Sequence, residues 1–408
     1  FQMRNLKRAL SLALAAVMLI GMMVVGASAA SYDDFTDRDE IVNKDAVSML
    51  TTLGVIDGKT DGSYDPEGTV RRDEMAKMIS VIMNQGVDNN ALYSGVDSKL
   101  TDIGDNWAKG HINYCYTLGI IAGRGNGTFD PSATVTALEA AKMLLVAVGY
   151  DPKIEGFEGA DWAINVSVRA DEQGIFEGFT KDLSAPLNRD DAALLIYNAL
   201  DVEMIQSYTT NNYPIVYSDH RTILSDKYGV IKVQGVVTAN EWAILDDDTD
   251  TALQEGKTRI YNPDGILSTT GNTAVAQDSS ANVKTQVFNV STPVDMLGKA
   301  VTMYVKKTTI LADSTVYGAP VVSDVNTVIE TGEKVTGGDS KDDDSLAALL
   351  KGTGLATDKA TEYYHNYEEV AIDSADVDDI MNVKGAALTV IDNDNDGYVN
   401  YVISVEKS

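Results

Sequence analysis

Hydrophobic residues in the first half of the chain recur with helical spacing, in segments separated by a glycine-rich loop. Val47, Leu50 and Leu53 lie three residues apart and predict one apolar face of a helix. Gly54 then ends this helix, and a loop rich in glycine and aspartate turns the chain. A second helix is expected to open near Thr69. Its apolar face is formed by Met75, Met78, Ile79 and Ile82.

This helix–loop–helix pattern occurs three times. The segment that begins at Leu53 recurs at Leu118 with an offset of 65 residues, and a more divergent copy begins at Gln173. The third copy follows the second by 55 residues at Gly174, and by 52 residues at Ser184, because its loop is shorter. A unit of this size cannot bury its apolar faces alone, so the three copies are expected to pack on one another.

The motifs within the copies resemble those of the S-layer homology family. "LGVIDG" and "LGIIAG" precede "GSYDP" and "GTFDP", and "FTD" or "LTD" opens the first two copies. The resemblance covers roughly residues 32–204 and implies an all-α triple repeat, a pseudo-threefold helical spindle, with copies at 32–90, 97–150 and 155–204. It also implies that grooves between the copies hold a secondary cell-wall polysaccharide linked to peptidoglycan, often through a pyruvylated sugar.

The resemblance also implies which residues line the grooves. The family's positions fall on the arginines Arg72 and Arg189, the tryptophans Trp107 and Trp162, and the glycines Gly58, Gly123 and Gly178. Arginine offers a carboxylate a planar bidentate fork, and an indole offers a sugar ring a flat apolar surface. Outside such a family, these residues would be ordinary surface arginines and packing tryptophans. Ala137 replaces the arginine of copy two and Val42 the tryptophan of copy one, so not every groove is expected to bind.

The first residues and the composition predict export to the cell surface. Residues 1–29 combine a basic start, an apolar run and an Ala-Ser-Ala site, as in a secretory signal peptide; an uncleaved membrane anchor is the alternative. The chain has 408 residues and a formal net charge of −29, which disfavours nucleic acid as a partner. Its single cysteine, Cys115, excludes an intramolecular disulfide.

After Met204 the helical pattern fades, and β-branched residues and turn residues increase. Residues 205–228 are interpreted as a connector, and residues 229–408 as a mainly-β region, a sandwich or small barrel with possibly two subdomains. Strands are predicted at "GVIKVQGVV" from Gly229, "TQVFNV" from Thr285, "KAVTMYVKK" from Lys299 and "AALTVI" from Ala386.

One acidic loop in this region predicts a calcium site. Oxygen ligands alternate along "DNDNDGYVN", and the expected set is Asp392, Asp394, Asp396, the Tyr398 carbonyl and Asn400. An EF-hand would place glutamate where Ile403 stands, so the loop is expected at the turn of a β-hairpin instead. The alternative is a solvated acidic turn that binds no metal.

The sequence contains no recognisable catalytic motif, so we expect a protein that is not an enzyme. Its three histidines are isolated, and neither zinc-ligand spacing nor a phosphate-binding loop occurs. The favoured interpretation is an exported surface or S-layer protein held on the cell wall, with a β-rich region for lattice or envelope contacts. The alternatives are an anchored adhesin or glycan-binding module, and a fragment of an anchored hydrolase.

Overall fold

The computed structural model describes residues 34–245, 252–263, 265–266, 284–306, 314–331, 346–370 and 386–406. They divide into two compact units, and the chain passes from the first to the second between residues 230 and 231. The first unit is mainly helical and the second is built from β-sheets, which confirms the predicted multidomain order. The predicted signal peptide at 1–29 lies outside the described residues. Within them, no helix is both long and apolar enough to cross a membrane.

Each copy of the repeat contributes two principal helices. They are α1 (Lys44–Thr52) and α2 (Arg72–Met83) in copy one, with the short α3 (Asn90–Tyr93) following, α4 (Lys109–Thr117) and α5 (Ala137–Val148) in copy two, and α6 (Trp162–Glu172) and α7 (Arg189–Leu200) in copy three. Helix α2 begins at Arg72 and not near Thr69, because the residues between them are extended and pair with other copies.

The three copies contact one another in a closed cycle. The second helix of each copy packs against the first helix of the next: α2 against α4, α5 against α6, and α7 against α1. Isolated β-bridges just before the second helices repeat the same cycle. They join Arg71 to Thr134, Thr136 to Pro186, and Asn188 to Thr69. The expectation that the copies pack on one another is therefore confirmed.

An aspartate near the start of copies one and two fixes the loop between the helices. In copy two, Asp102 accepts the Phe129 N–H at 2.8 Å through Oδ1 and the Asp130 N–H at 2.7 Å through Oδ2. In copy one, Asp37 accepts the N–H groups of Tyr64 and Asp65 in the same way. These charge-assisted hydrogen bonds hold the aromatic residue of each loop in a defined position.

Residues 205–228 pack on the helical unit. They form the hairpin of β1 (Ile205–Tyr208) and β2 (Pro214–Val216), followed by a π-helical turn at Leu224–Tyr228. The Tyr208 hydroxyl donates to Glu155 Oε1 at 2.8 Å and accepts the Asp151 N–H at 3.0 Å. This segment is thus a folded part of the first unit.

The second unit contains two five-stranded sheets. The first sheet has the order β5-β4-β3-β6-β7 and the second the order β10-β9-β12-β11-β8. The strands are β3 (Val230–Ala239), β4 (Thr258–Tyr261), β5 (Thr285–Phe288), β6 (Ala300–Lys306), β7 (Val316–Val322), β8 (Thr327–Glu330), β9 (Glu362–His365), β10 (Glu368–Glu369), β11 (Ala386–Asp392) and β12 (Tyr401–Glu406), with α8 (Leu346–Leu350) between β8 and β9. All four predicted strand segments are confirmed.

Both sheets of this unit share one hydrophobic core. Val233, Ile260 and Met303 of the first sheet pack in one cluster with Ile391 and Ile403 of the second. Side chains from two sheets that fill a common interior are the arrangement of a β-sandwich.

Candidate functional site

A groove of about 450 Å³ opens in the helical unit where residues of all three copies meet. Copy one contributes the arginine that begins its second helix. Copy two contributes a glycine-containing loop and two cationic side chains, and copy three contributes a tryptophan. We call these residues set A: Arg72, Gly123, Arg124, Glu139, Lys142 and Trp162. The structure thus brings three of the predicted residues, one from each copy, to one groove.

Arg72 forms part of the wall of this groove. Its side chain is buried, and its Nε donates to the Phe129 carbonyl at 3.0 Å. Its Nη1 donates to Glu139 Oε1 at 3.1 Å, and the guanidinium lies 4.7 Å from the centroid of the Phe129 ring. Two of its three nitrogens are therefore engaged within the protein. Arg72 therefore joins copy one to copy two, and its contact with a polymer stays a prediction.

Arg124 and Lys142 supply the accessible positive charge, and the sequence analysis missed both. The Arg124 side chain is 37% exposed and its Nη1 donates to Glu139 Oε1 at 3.0 Å. The Lys142 ammonium lies 5.7 Å from the centroid of the Trp162 ring. Burial lowers the pKa of Lys142, although the charge of Glu158 opposes this. Their recurrence in copy one, as Lys59 and Lys77, was a signal that could have identified them.

Glu139 organises the cations of the groove. Its Oε1 accepts from both Arg72 and Arg124, and its Oε2 accepts the Thr136 N–H at 3.2 Å as part of the capping box of α5. The lining contains three cationic side chains and the two carboxylates Glu139 and Glu158. The groove therefore carries a small positive charge in a chain of net charge −29, which suits an anion that also has an apolar ring face.

Glycine is needed in the loop of this groove for the shape of the backbone. Gly123 has a φ of +73°, and a Cβ there would lie 2.7 Å from the Thr128 carbonyl oxygen. Its equivalent Gly58 has no left-handed φ, but a Cβ would lie 2.8 Å from the Phe35 ring. Gly178 has a φ of +75°. The predicted glycines thus shape the loops.

The repeat places an equivalent set of residues one step around the cycle. This set B consists of Arg189, Gly58, Lys59, Glu74, Lys77 and Trp107. Arg189 donates its Nε to the Tyr64 carbonyl at 2.8 Å and lies 4.9 Å from the centroid of the Tyr64 ring, as Arg72 does with Phe129. Trp107 is 47% exposed and donates its Nε1 to Asp73 Oδ2 at 3.1 Å. Set B therefore retains the arginine, both other cations and the tryptophan.

The third set has lost these groups together. Set C consists of Ala137, Gly178, Phe179, Asp191, Leu194 and Val42. Alanine, phenylalanine and leucine stand where set A has three cations, and valine replaces tryptophan. Lys181 also replaces the aromatic residue on which an arginine at position 137 would stack. Set C thus keeps the loop glycine and a carboxylate, Asp191, which accepts from Lys181 at 2.6 Å, but it lacks the three cations and the indole of set A.

A second candidate site is the acidic loop between β11 and β12. These strands form an antiparallel hairpin with Ile391 opposite Tyr401, so the loop lies at a hairpin turn as predicted. Each of three carboxylates offers an oxygen within 4.8 Å of the others: Asp392, Asp394 and Asp396. Burial raises the pKa of Asp394, and the charge of Asp396 adds to this effect. Clustered oxygen donors of this kind fit Ca²⁺.

The remaining residues of this loop support its conformation. Asp392 is buried and accepts the Asn395 N–H at 2.8 Å and the Gly397 N–H at 3.1 Å. Asn400 Oδ1 accepts the Asn393 N–H at 2.6 Å, so this oxygen braces the loop. Tyr398 donates its N–H to Asp396 Oδ1 at 2.7 Å.

A serine, a histidine and an aspartate also lie close together in the helical unit. His111 Nδ1 lies 3.1 Å from Ser80 Oγ, and its Nε2 lies 3.3 Å from Asp88 Oδ1. Ser80 is completely buried, so this arrangement presents no nucleophile to a substrate. Burial lowers the pKa of His111, and the nearby Asp88 carboxylate opposes this effect.

Comparison with known proteins identifies the repeat. The S-layer homology domain family matches residues 34–76 and 99–141, which belong to copies one and two. The chain is therefore a surface protein that contains S-layer homology domains. Domains of this kind indicate that the protein is held on the cell wall, at the cell surface.

Individual relatives support the same assignment. The chain is 26% identical over 404 residues to a cell surface protein of Thermoanaerobacter kivui, a match that covers 98% of this chain and 45% of that protein. It is 30% identical over 113 residues to an S-layer protein of Bacillus licheniformis, covering 28% of this chain and 12% of that protein. It is 31% identical over 189 residues to an amylopullulanase of Thermoanaerobacterium thermosulfurigenes, covering 43% of this chain and 10% of the enzyme. The chain thus spans less than half the length of these relatives.

Proposed function

We propose that the helical unit anchors the protein by binding a secondary cell-wall polysaccharide linked to peptidoglycan. The observation that carries this proposal is the positively charged groove beside Trp162 in a strongly acidic chain. The three copies act together as a pseudo-threefold spindle, and their closed cycle of helix contacts supports this arrangement. The anchor is non-covalent.

The ligand group that suits set A is an acidic sugar, such as a terminus bearing a pyruvate ketal. Its carboxylate would contact Arg124 and Lys142, and the apolar face of the sugar would lie on the Trp162 ring. Arg72 would act through Glu139, which it holds beside Arg124. Since set C lacks the three cations and the indole, sets A and B are the binding sites.

Binding of the full chain to purified cell-wall sacculi tests this function. We expect intact sacculi to retain the protein, and sacculi stripped of secondary polymer to release it. Arg124→Gln with Lys142→Gln should weaken binding to intact sacculi. Lys351→Gln with Lys359→Gln is the charge-matched control, because both lysines are exposed in the second unit. Equal retention by stripped sacculi would overturn the proposal, and equal retention of the groove variant would show that set A is not a binding site.

The second unit is proposed to make lattice or envelope contacts in a surface layer, with Ca²⁺ bound by the β11–β12 loop. The match to the Thermoanaerobacter kivui protein, which extends over both units, supports a surface role for it. We propose no catalysis by this chain. The second candidate is a fragment of an anchored hydrolase, and the similarity to an amylopullulanase is the observation that supports it. Light scattering of the full chain at micromolar concentration separates these roles, since a lattice protein should form large assemblies when calcium is added.

A further inference from the structure

A second cleft, of about 340 Å³, opens within the β-rich unit and is lined by both of its sheets. The first sheet contributes β3, β4 and β5, and the second contributes β9, β10 and β12. The side chains that give the cleft its chemistry are Arg259, Tyr261, Glu362, Tyr364, Glu369 and Tyr401. Neither the anchoring groove nor the acidic loop contains any of these residues.

Strand register brings these side chains to one place. Tyr401 of β12 is paired with Glu362 of β9, and Glu369 of β10 is paired with Tyr364 of β9. Paired residues on neighbouring strands project to the same face of a sheet, and so do residues two apart on one strand. All four therefore share one face of the second sheet.

The polar groups of the cleft are held in place by neighbouring side chains. Tyr364 is buried and donates its hydroxyl to Glu362 Oε2 at 2.8 Å. Burial and the Glu362 charge raise the pKa of Tyr364, so this hydroxyl remains a donor. Among the described residues, Glu362 Oε1 has no hydrogen-bond partner. On the first sheet, Arg259 Nε donates to Thr238 Oγ1 at 2.9 Å, which orients the guanidinium.

We propose that this cleft binds a short carbohydrate, one or two sugar rings that are neutral or carry an amino group. Planar carboxylate and guanidinium groups can each bond two adjacent sugar hydroxyls. Tyr261, which is 37% exposed, offers a ring for the apolar face of a sugar. The two carboxylates outnumber the single guanidinium, so the cleft disfavours the anionic sugars that suit the groove of set A.

Saturation-transfer NMR and calorimetry on the full chain test this inference with three probes: maltose, cellobiose and chitobiose. We expect at least one disaccharide to bind. Tyr261→Ala and Glu369→Gln should each weaken that binding about tenfold, the effect of one lost ring or charged contact. Tyr213→Ala is the matched control, because Tyr213 is a 69% exposed tyrosine of the helical unit.

Two outcomes would overturn the inference: no binding of any of the three disaccharides, or unchanged affinity in both cleft variants. Thermal unfolding of each variant establishes that its fold is retained. Sacculus binding should be the same in Tyr261→Ala as in the wild type, so that failure of the anchor and failure of the cleft are distinguishable. Glu362→Gln, which keeps the size of the side chain, gives a second test of the carboxylate.

Discussion

The guanidinium of Arg72 in copy one lies 4.7 Å from the ring centroid of Phe129 in copy two and donates to its carbonyl at 3.0 Å. Arg189 and Tyr64 repeat this relationship between copies three and one. Where copy two meets copy three, the arginine and the aromatic residue are both absent. The motif arginine and the loop aromatic therefore act as one unit, which joins neighbouring copies.

Arg72→Ala is expected to destabilise the helical unit by roughly 2–3 kcal/mol, because the Phe129 carbonyl and Glu139 lose their buried donor. Arg221→Ala is the matched control. Its side chain is 37% exposed and pairs with Asp219, whose side chain is 42% exposed, so about 0–1 kcal/mol is expected. Urea denaturation measures both free energies of unfolding. Equal losses in the two variants would show that Arg72 does not join the copies.

Gly123→Ala and Gly125→Ala separate backbone strain from steric overlap. Both glycines have a left-handed φ, but only at Gly123 would a Cβ meet a backbone oxygen, at 2.7 Å. We expect Gly125→Ala to lower the free energy of unfolding by about 1–2 kcal/mol. Gly123→Ala should lower it further and should also weaken sacculus binding. Denaturation and the sacculus assay check this. Identical behaviour of the two variants would contradict a role for the Gly123 close approach.

Binding of a pyruvylated sugar should weaken at alkaline pH. Burial lowers the pKa of Lys142 below its ordinary value of 10.5, so the ammonium loses its charge as pH rises through that lowered pKa. We expect about a tenfold loss of affinity, or ~1.4 kcal/mol, across this transition. Calorimetry against pH measures it. Lys142→Arg keeps the charge and should abolish the decline; a decline of the same size in this variant would refute the assignment to Lys142.

The stability of the helical unit should fall in mild acid because of His111. The folded state lowers the pKa of this residue below its ordinary value of 6.5, so between these two pKa values the unfolded chain binds more protons. The free energy of unfolding therefore decreases as pH falls from about 6.5 to the folded pKa, by about 1.4 kcal/mol for each unit between them. Urea denaturation of the wild type and of His111→Gln measures this. The variant should lack this part of the pH dependence, and an identical profile would exclude His111 as its source.

Calcium should stabilise the β-rich unit against heat. A ligand that binds only the folded state at 100 times its dissociation constant adds about 2.7 kcal/mol. We expect the melting temperature to rise with Ca²⁺ and to fall with chelator, and Asp394→Asn with Asp396→Asn to remove the difference. Asp97→Asn with Asp105→Asn, at exposed positions of the helical unit, is the control. A wild-type melting temperature that is insensitive to Ca²⁺ would argue for a solvated acidic turn.

Three features were predictable because each depends on the spacing of residues that are close in the sequence. They are the repeated helices, the strand segments and the acidic hairpin. The role of Arg72 was not predictable, since its donors are taken up by Phe129 and Glu139, residues 57 and 67 positions away. Arg124 and Lys142 could have been identified by aligning the copies position by position. Their equivalents in set C are Phe179 and Leu194, so both cations are absent where Ala137 replaces the arginine. Only strand pairing across the unit, such as β9 with β12, reveals the sugar cleft.

The closed cycle of copies has a consequence for the order in which the chain emerges during export. Tyr64 of copy one completes its contacts only when Arg189 arrives, 125 residues later. Until then α1 lacks its partner α7, and the apolar faces through which copies one and two contact copy three remain uncovered. Deletion of one copy should therefore expose an apolar face at each side of the gap, so the copies are unsuited to use as single modules.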